Sequence, residues 1–211
     1  MAGLFITFEG TEGSGKSTQI ALTAEWLRSL GREVIMLREP GGTKLGEEIR
    51  HLLKHSDAGQ GMTPEAELFL MNASRAQLVR EVIRPAVVAG AVVLCDRFYD
   101  STVAYQGHGR GLDLESVTEV TRIAVGDCDP DLTLLLEVPV QLSEARRAER
   151  AGGQSEAPDR FEQADREFFQ RVEAGFRLIA AASPHRILPV DGSATSDAVQ
   201  QMIRAAIQPR L

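Results

Sequence analysis

The sequence predicts an α/β fold, a mostly parallel five-stranded sheet with helices on both faces. Three observations carry this. Short apolar runs alternate with longer helical patterns along the 211 residues, the order expected of strands joined by crossover helices. Several runs are almost continuously apolar, as strands covered on both faces should be. No internal repeat and no long linker divides the chain, so one domain spanning 1–211 is expected.

The first run, Leu4–Glu9, feeds a helical pattern over 15–30. The second, Glu33–Arg38, is followed by helical stretches at 43–55 and 64–89. The third run is Ala91–Asp96. A helix over 114–126 leads to the fourth, Leu132–Val138. Helices over 140–150 and 162–182 then flank AGGQSEAPDR at 151–160, a Gly- and Pro-containing segment of low hydrophobicity. It reads as a mobile loop, with a lid over approximately 146–161. The last run, Arg186–Val190, precedes a helix over 195–208.

Composition narrows the function classes. Hydrophobic residues make up 43% and charged residues 25% of the chain, an ordinary globular balance. The formal charge of −7 argues against a nucleic-acid polymer as partner, since such binders carry a basic footprint. Cys95 and Cys128 have neither ligand nor redox spacing and read as reduced thiols. MAGLFITFEG lacks a basic n-region and its apolar run is far too short to span a bilayer, so the cytoplasm is the expected compartment and no membrane partner is expected.

Residues 10–17, GTEGSGKS, fit G-x-x-x-x-G-K-[ST] at every fixed position, with an apolar strand before and a helical pattern after. This is a P-loop, and it makes the expected architecture a P-loop NTPase fold. Gly10, Gly13 and Gly15 let the backbone turn and aim N–H groups at phosphate oxygens, with Thr11, Glu12, Ser14 and Thr18 completing the ATP-binding stretch. The helix behind adds the positive end of its dipole. Lys16 would reach the β- and γ-phosphates, and the Ser17 hydroxyl would ligate Mg²⁺. By itself the loop does not separate a kinase from a GTPase switch or a motor, although no N-K-x-D guanine-reading motif is present.

Read together, FEGTEGSGKST (8–18), REPGGT (38–43), DRFYDSTVAYQG (96–107) and RRAER…DR (146–160) resemble bacterial thymidylate kinase, in order and over essentially the whole chain. The resemblance implies a homodimeric, Mg²⁺-dependent enzyme that moves the γ-phosphate of ATP to thymidine monophosphate (dTMP). The product would be thymidine diphosphate, on the way to deoxythymidine triphosphate. It implies that Arg97 holds the acceptor phosphate and Asp96 helps organise Mg²⁺ through water. Both sit at the carboxyl end of a strand, where open parallel sheets bind ligands. Arg38 would be a second clamp, a planar guanidinium able to donate two parallel hydrogen bonds. Arg50 either joins it or is a solvated helix charge. Glu12 would lie near the acceptor sugar and metal. Tyr105 and Gln106 would flank the deoxyribose and base, Ser101 would belong to the same substrate site, and Arg75 would bond the thymine edge, unless Tyr105 and Arg75 are simply core and surface residues.

Two departures matter. The family usually carries an aromatic four residues before this arginine, whereas position 71 is Met. Either Met71 meets the base through its sulfur, or Phe69 reaches in from about 120° round the helix. Gly13 also stands where some relatives carry a catalytic arginine. The resemblance is to the branch that takes this charge from the lid, where Arg146, Arg147, Arg150 and Arg160 flank 151–160. Arg150 and Arg160 are the catalytic candidates there, with Arg146 on the ATP side, the alternative being a solvated face shared with Glu144 and Glu149. An arginine finger contributes about 10³–10⁵ in rate. The acceptor nucleophile is a phosphate oxygen, so no general base is needed, and His51, His55, His108 and His185 receive no role.

Overall fold

A computed structural model describes residues 2–151 and 165–211, the side chains of Arg147, Arg150 and Ala151 excepted. Strands β1 (Leu4–Glu9), β2 (Val34–Arg38), β3 (Val92–Asp96), β4 (Leu132–Glu137) and β5 (Ile187–Asp191) form one sheet in the order β2-β3-β1-β4-β5. Every neighbouring pair is parallel, with Leu4 opposite Val92, Ile6 opposite Leu132 and Thr133 opposite Ile187. The helices are α1 (Lys16–Ser29), α2 (Lys44–Lys54), α3 (Pro64–Leu78), α4 (Arg84–Val88), α5 (Tyr99–Thr102), α6 (Leu114–Val125), α7 (Val140–Ala151), α8 (Arg166–Ala182) and α9 (Ser196–Ile207).

Strand periodicity explains the layers. Leu4, Ile6 and Phe8 of β1 and Leu134 of β4 pack with Ile20 and Leu27 of α1 and Ile203 of α9. Phe5, one residue out of phase, faces the other side with Leu78, Ile83 and Phe98. Leu135 joins Tyr105, Phe168 and Phe176 on that second face. Successive strand residues point to opposite faces, so one apolar run supplies both cores. Each such side chain contributes roughly 1.5–3 kcal/mol by leaving water. Pro189 lies in β5, an edge strand, where a missing N–H costs little.

The five expected strands are present, each boundary within one residue of expectation. Two helical expectations are corrected. The single helix anticipated over 64–89 is α3, a wide π turn at Val79–Ile83, then α4. Pro85 explains the break: it has no N–H to give, and its ring would strike a carbonyl one turn back unless the coil widens. The second correction is a helix not anticipated at all. α5 continues as π-type turns over Val103–Gly109, a Gly-containing stretch of poor helical propensity. Packing on α8 holds it: a Cβ at Gly109 would come within 2.6 Å of the Phe168 ring, so the backbone here meets the α8 side chains through glycine.

With β1 between β3 and β4, the chain moves to one side of β1 after β1 and to its other side after β3. The crevice at the carboxyl ends of these strands is the binding position of an open parallel sheet. Three strand ends deliver residues there: the loop 10–15 after β1, Arg38 closing β2, and Asp96–Arg97 closing β3.

Candidate active site

Helix α1 starts differently from its neighbours. Helices α2, α3, α6, α8 and α9 each begin with a Thr or Asp side chain accepting an N–H of the first turn. Helix α1 begins at Gly15, in a left-handed conformation with no side-chain cap. Its first N–H groups and the positive dipole end are thus left for an anion. Gly10, Gly13 and Gly15 all have positive φ, which curls the loop round Lys16. Lys16 is 7% exposed, and its Nζ donates to the carbonyls of Gly10 (3.0 Å) and Thr11 (2.9 Å) and to Ser14 Oγ (3.4 Å). Burial, helped by the Arg97 charge, lowers its pKa to about 8.

Across the crevice, Arg97 is the only non-glycine residue with positive φ among the described residues, at 69°. Its N–H donates to the Phe8 carbonyl at 2.9 Å, which stitches this turn onto β1. The guanidinium donates from Nη1 to Gly10 O and Ser101 Oγ, both at 3.1 Å, and from Nη2 to Glu12 at 3.5 Å. It lies over the Tyr105 ring, 5.0 Å from the centroid. The buried Tyr105 hydroxyl has no hydrogen-bond partner. Burial pushes this phenol up to about 12, so it stays a neutral donor. Beneath the turn sits Glu9, accepting from Phe98 N (2.7 Å), Ser101 N (3.3 Å) and Ser101 Oγ (2.6 Å). Burial and the nearby Asp100 carboxylate push Glu9 above the usual carboxylate range, against those hydrogen bonds.

The wall opposite is built by α2 and α3. Arg38 is half-exposed and pairs with Glu47 at 3.0 Å. Arg50 Nη1 donates to Pro40 O at 2.9 Å. Arg75 is not a surface arginine, being 2% exposed. Its Nε donates to Glu39 at 2.8 Å, its Nη1 to Asn72 at 3.0 Å and its Nη2 to Phe98 O at 3.2 Å. Burial raises the Glu39 pKa, and the Arg75 charge opposes this. Met71 lines the cavity, whereas Phe69 is 60% exposed and does not. Of the two candidates for the missing aromatic, Met71 is the one that lines the cavity. Met71 faces inward.

A single cavity of about 530 Å³ gathers nearly all of these side chains, a size suited to small-molecule ligands. It is lined by Glu12, Gly13, Gly15, Lys16, Ser17, Thr18, Arg38, Arg50, Met71, Arg75, Asp96, Arg97, Ser101, Tyr105, Gln106 and Arg146. Gly10, Thr11 and Ser14 lie beneath, in the loop that holds Lys16. Arg146 donates to the carbonyls of Gly13 (3.3 Å) and Gly192 (3.0 Å), tying α7 to the loop. Arg160, the rest of the 152–160 segment and the side chains of Arg147 and Arg150 lie outside the described residues. Glu9 and Glu39, which carry no expectation from the sequence, are buried carboxylates that hold Ser101 and Arg75 at this site. Each is a carboxylate at or just after the end of an apolar strand, the one signal of its position that the sequence carries.

A parallel sheet delivering a P-loop to one side of a cavity and arginines to the other defines a P-loop kinase for small phosphorylated acceptors. Comparison with known proteins makes the assignment specific. The sequence model of the thymidylate kinase family matches residues 8–203, and the chain belongs to that family. It is 46% identical over 210 residues to the thymidylate kinase of Desulfovibrio desulfuricans, covering 99% of this chain and 96% of that one. With the Pseudomonas fluorescens thymidylate kinase, identity is 48% over 207 residues, covering 98% and 96%. The crystal structure of thymidylate kinase from Ehrlichia chaffeensis superposes with a TM-score of 0.79 at 33% identity, over 99% of both chains. The protein is accordingly a nucleoside monophosphate kinase.

Proposed function

We propose that this cavity holds both nucleotides, with the ATP phosphates over Lys16 and the dTMP phosphate between Arg38 and Arg97. The reaction is that of the family: the γ-phosphate of ATP passes to dTMP, giving thymidine diphosphate. The observation that carries the geometry is that Lys16, Arg38 and Arg97 all line one cavity. Two anions can therefore be drawn together by fixed cations. The dTMP monoester has its second pKa near 6 and is largely dianionic at neutral pH, so its oxygen attacks without a general base. Catalysis then rests on alignment and charge neutralisation. Arg97, held by Gly10 O, Ser101 and Glu12, fixes the acceptor. Lys16 and the uncapped N–H groups of α1 take the charge gathering on the donor side.

Mg²⁺ fits the residues present. Ser17 Oγ lies 3.3 Å from Asp96 Oδ2, and Asp96 Oδ1 is buried without a partner. Among the described residues no group of three or more His, Cys, Asp or Glu side chains could hold a metal, as suits an ion held largely by water and substrate phosphates. Ser17 and Asp96 would hold it, and it would neutralise charge on the donor phosphates. The whole chain acts as one domain, and the lid over 146–161 brings Arg150 or Arg160 to the transferring group and excludes water.

A homodimer in the cytoplasm completes the reading. In its support, Phe69 on α3 and Ile123 on α6 are large apolar side chains at 60% and 64% exposure on neighbouring helices. No helix among the described residues is long and apolar enough to cross a membrane. The test of function is ADP release from ATP with a panel of nucleoside monophosphates. Release on adding dTMP, above that with dCMP, dGMP or dAMP, is expected. No dTMP-dependent release would refute the assignment.

A further inference from the structure

We propose that Glu67 is a positioning residue for base recognition. It turns the Gln106 amide so that only the carbonyl oxygen faces the acceptor base, which selects a base that donates a proton at N3. This rests on the reading of the cavity as the dTMP site.

Glu67 lies on α3 at 1% exposure, with its carboxylate between two donors. Gln106 Nε2 donates to Oε1 at 2.8 Å. From the other side, Arg110 donates from Nε to Oε1 (3.2 Å) and from Nη2 to Oε2 (3.1 Å). Arg110 in turn lies over the Phe168 ring, 4.7 Å from its centroid, so α8 backs the carboxylate's partner. An ion-paired carboxylate accepts only. Rotating the Gln106 amide by half a turn would set two oxygens face to face at hydrogen-bond distance, an arrangement with repulsion and no donor. The NH₂ end is therefore committed to Glu67. The carbonyl oxygen is the end left to the cavity that Gln106 lines.

The consequence is chemical selectivity. Thymine carries N3–H beside its O4 acceptor, whereas cytosine carries a bare N3 acceptor beside an amino donor. A Gln106 oxygen locked toward the base bonds the first and repels the second. A glutamine free to flip would serve either. Sites built to hydrogen-bond a substrate group discriminate strongly because the mismatched partner leaves buried polar groups unpaired.

The test compares kcat/KM for dTMP and dCMP in the wild-type enzyme and in the double variant Glu67→Met/Arg110→Met. The double change removes the carboxylate without leaving its arginine unpaired. The expected result is a fall of about tenfold or more in the dTMP-to-dCMP ratio, since one base-facing bond is no longer enforced. A merely structural role for Glu67 would lower both substrates together, and an unchanged ratio with dTMP still turned over would overturn the inference. Should the double variant fail to fold, Glu67→Gln decides, because its amide can donate to a flipped Gln106 oxygen as well as accept from its NH₂. A fall of about tenfold or more in the dTMP-to-dCMP ratio supports the locked acceptor, and an unchanged ratio overturns it. A wild-type protein that does not phosphorylate dTMP would sink the cavity reading and this inference with it.

Discussion

Replacing Arg97 by glycine and, separately, by alanine isolates two properties that the native residue combines. Its guanidinium faces the cavity, and its backbone sits at φ 69°, a conformation that L-residues with a Cβ avoid. Both variants lose the same contacts, to Gly10 O, Ser101 and Glu12. They differ only in the cost of holding the turn. A Cβ in the left-handed region costs about 1–2 kcal/mol. Glycine gives back about 0.4–1 kcal/mol through the extra freedom of the unfolded chain. Arg97→Gly should therefore be more stable than Arg97→Ala by about 1 kcal/mol, or about 2–4 °C in Tm for a chain of this length. Thermal unfolding of the two variants side by side gives the difference. Both should lose at least about 100-fold in kcat/KM for dTMP, as expected when a fixed donor to the reacting phosphate is removed. An Arg97→Gly variant melting at or below Arg97→Ala would refute the claim that strain is stored at this turn. Near-normal activity in either would remove Arg97 from the acceptor site.

Lys16 should show in the pH profile. Its ammonium is charged below its lowered pKa of about 8 and is lost as pH rises through that value. Thus kcat/KM for ATP should fall above about pH 8, while kcat, with phosphates already bound, holds to higher pH. A flat kcat/KM to about pH 9.5 would contradict the buried, phosphate-directed lysine. Met71→Phe should lower KM for dTMP a few-fold, because a ring stacks on the base better than a thioether. An unchanged or higher KM would mean that Met71 does not meet the base. Arg150→Ala should lower kcat by about 10³ or more with ATP affinity within a few-fold of wild type. A near-normal kcat would take Arg150 out of the reaction.

Local signals carried most of the architecture and half of the site. The apolar runs of β1, β3 and β4 are contiguous in sequence, and a strand buried on both faces must be apolar at nearly every position, so each could be read where it stands. The P-loop is equally local, since its glycines and Lys16 act through a backbone turn only a few residues long. Motif resemblance then placed Arg38, Arg97, Tyr105 and Gln106 on one ligand, and all four do line the cavity. Helix 99–109 escaped because its stability comes from α8, far along the chain, and from backbone contact through Gly109 rather than from its own propensity.

What the sequence by itself determined was the sheet, the phosphate loop and the set of cations, Lys16, Arg38 and Arg97, that line one cavity. Only the tertiary structure decided how those cations are held. Glu9 accepts from Phe98 across 89 positions, Glu39 from Arg75 across 36, and Glu67 from Gln106 across 39. Only the fold, too, chose Met71 over Phe69. The physical reason is that periodicity and turn chemistry are written in neighbouring residues. The partner of a buried carboxylate depends instead on which distant segments the sheet order and helix packing bring within about 3 Å.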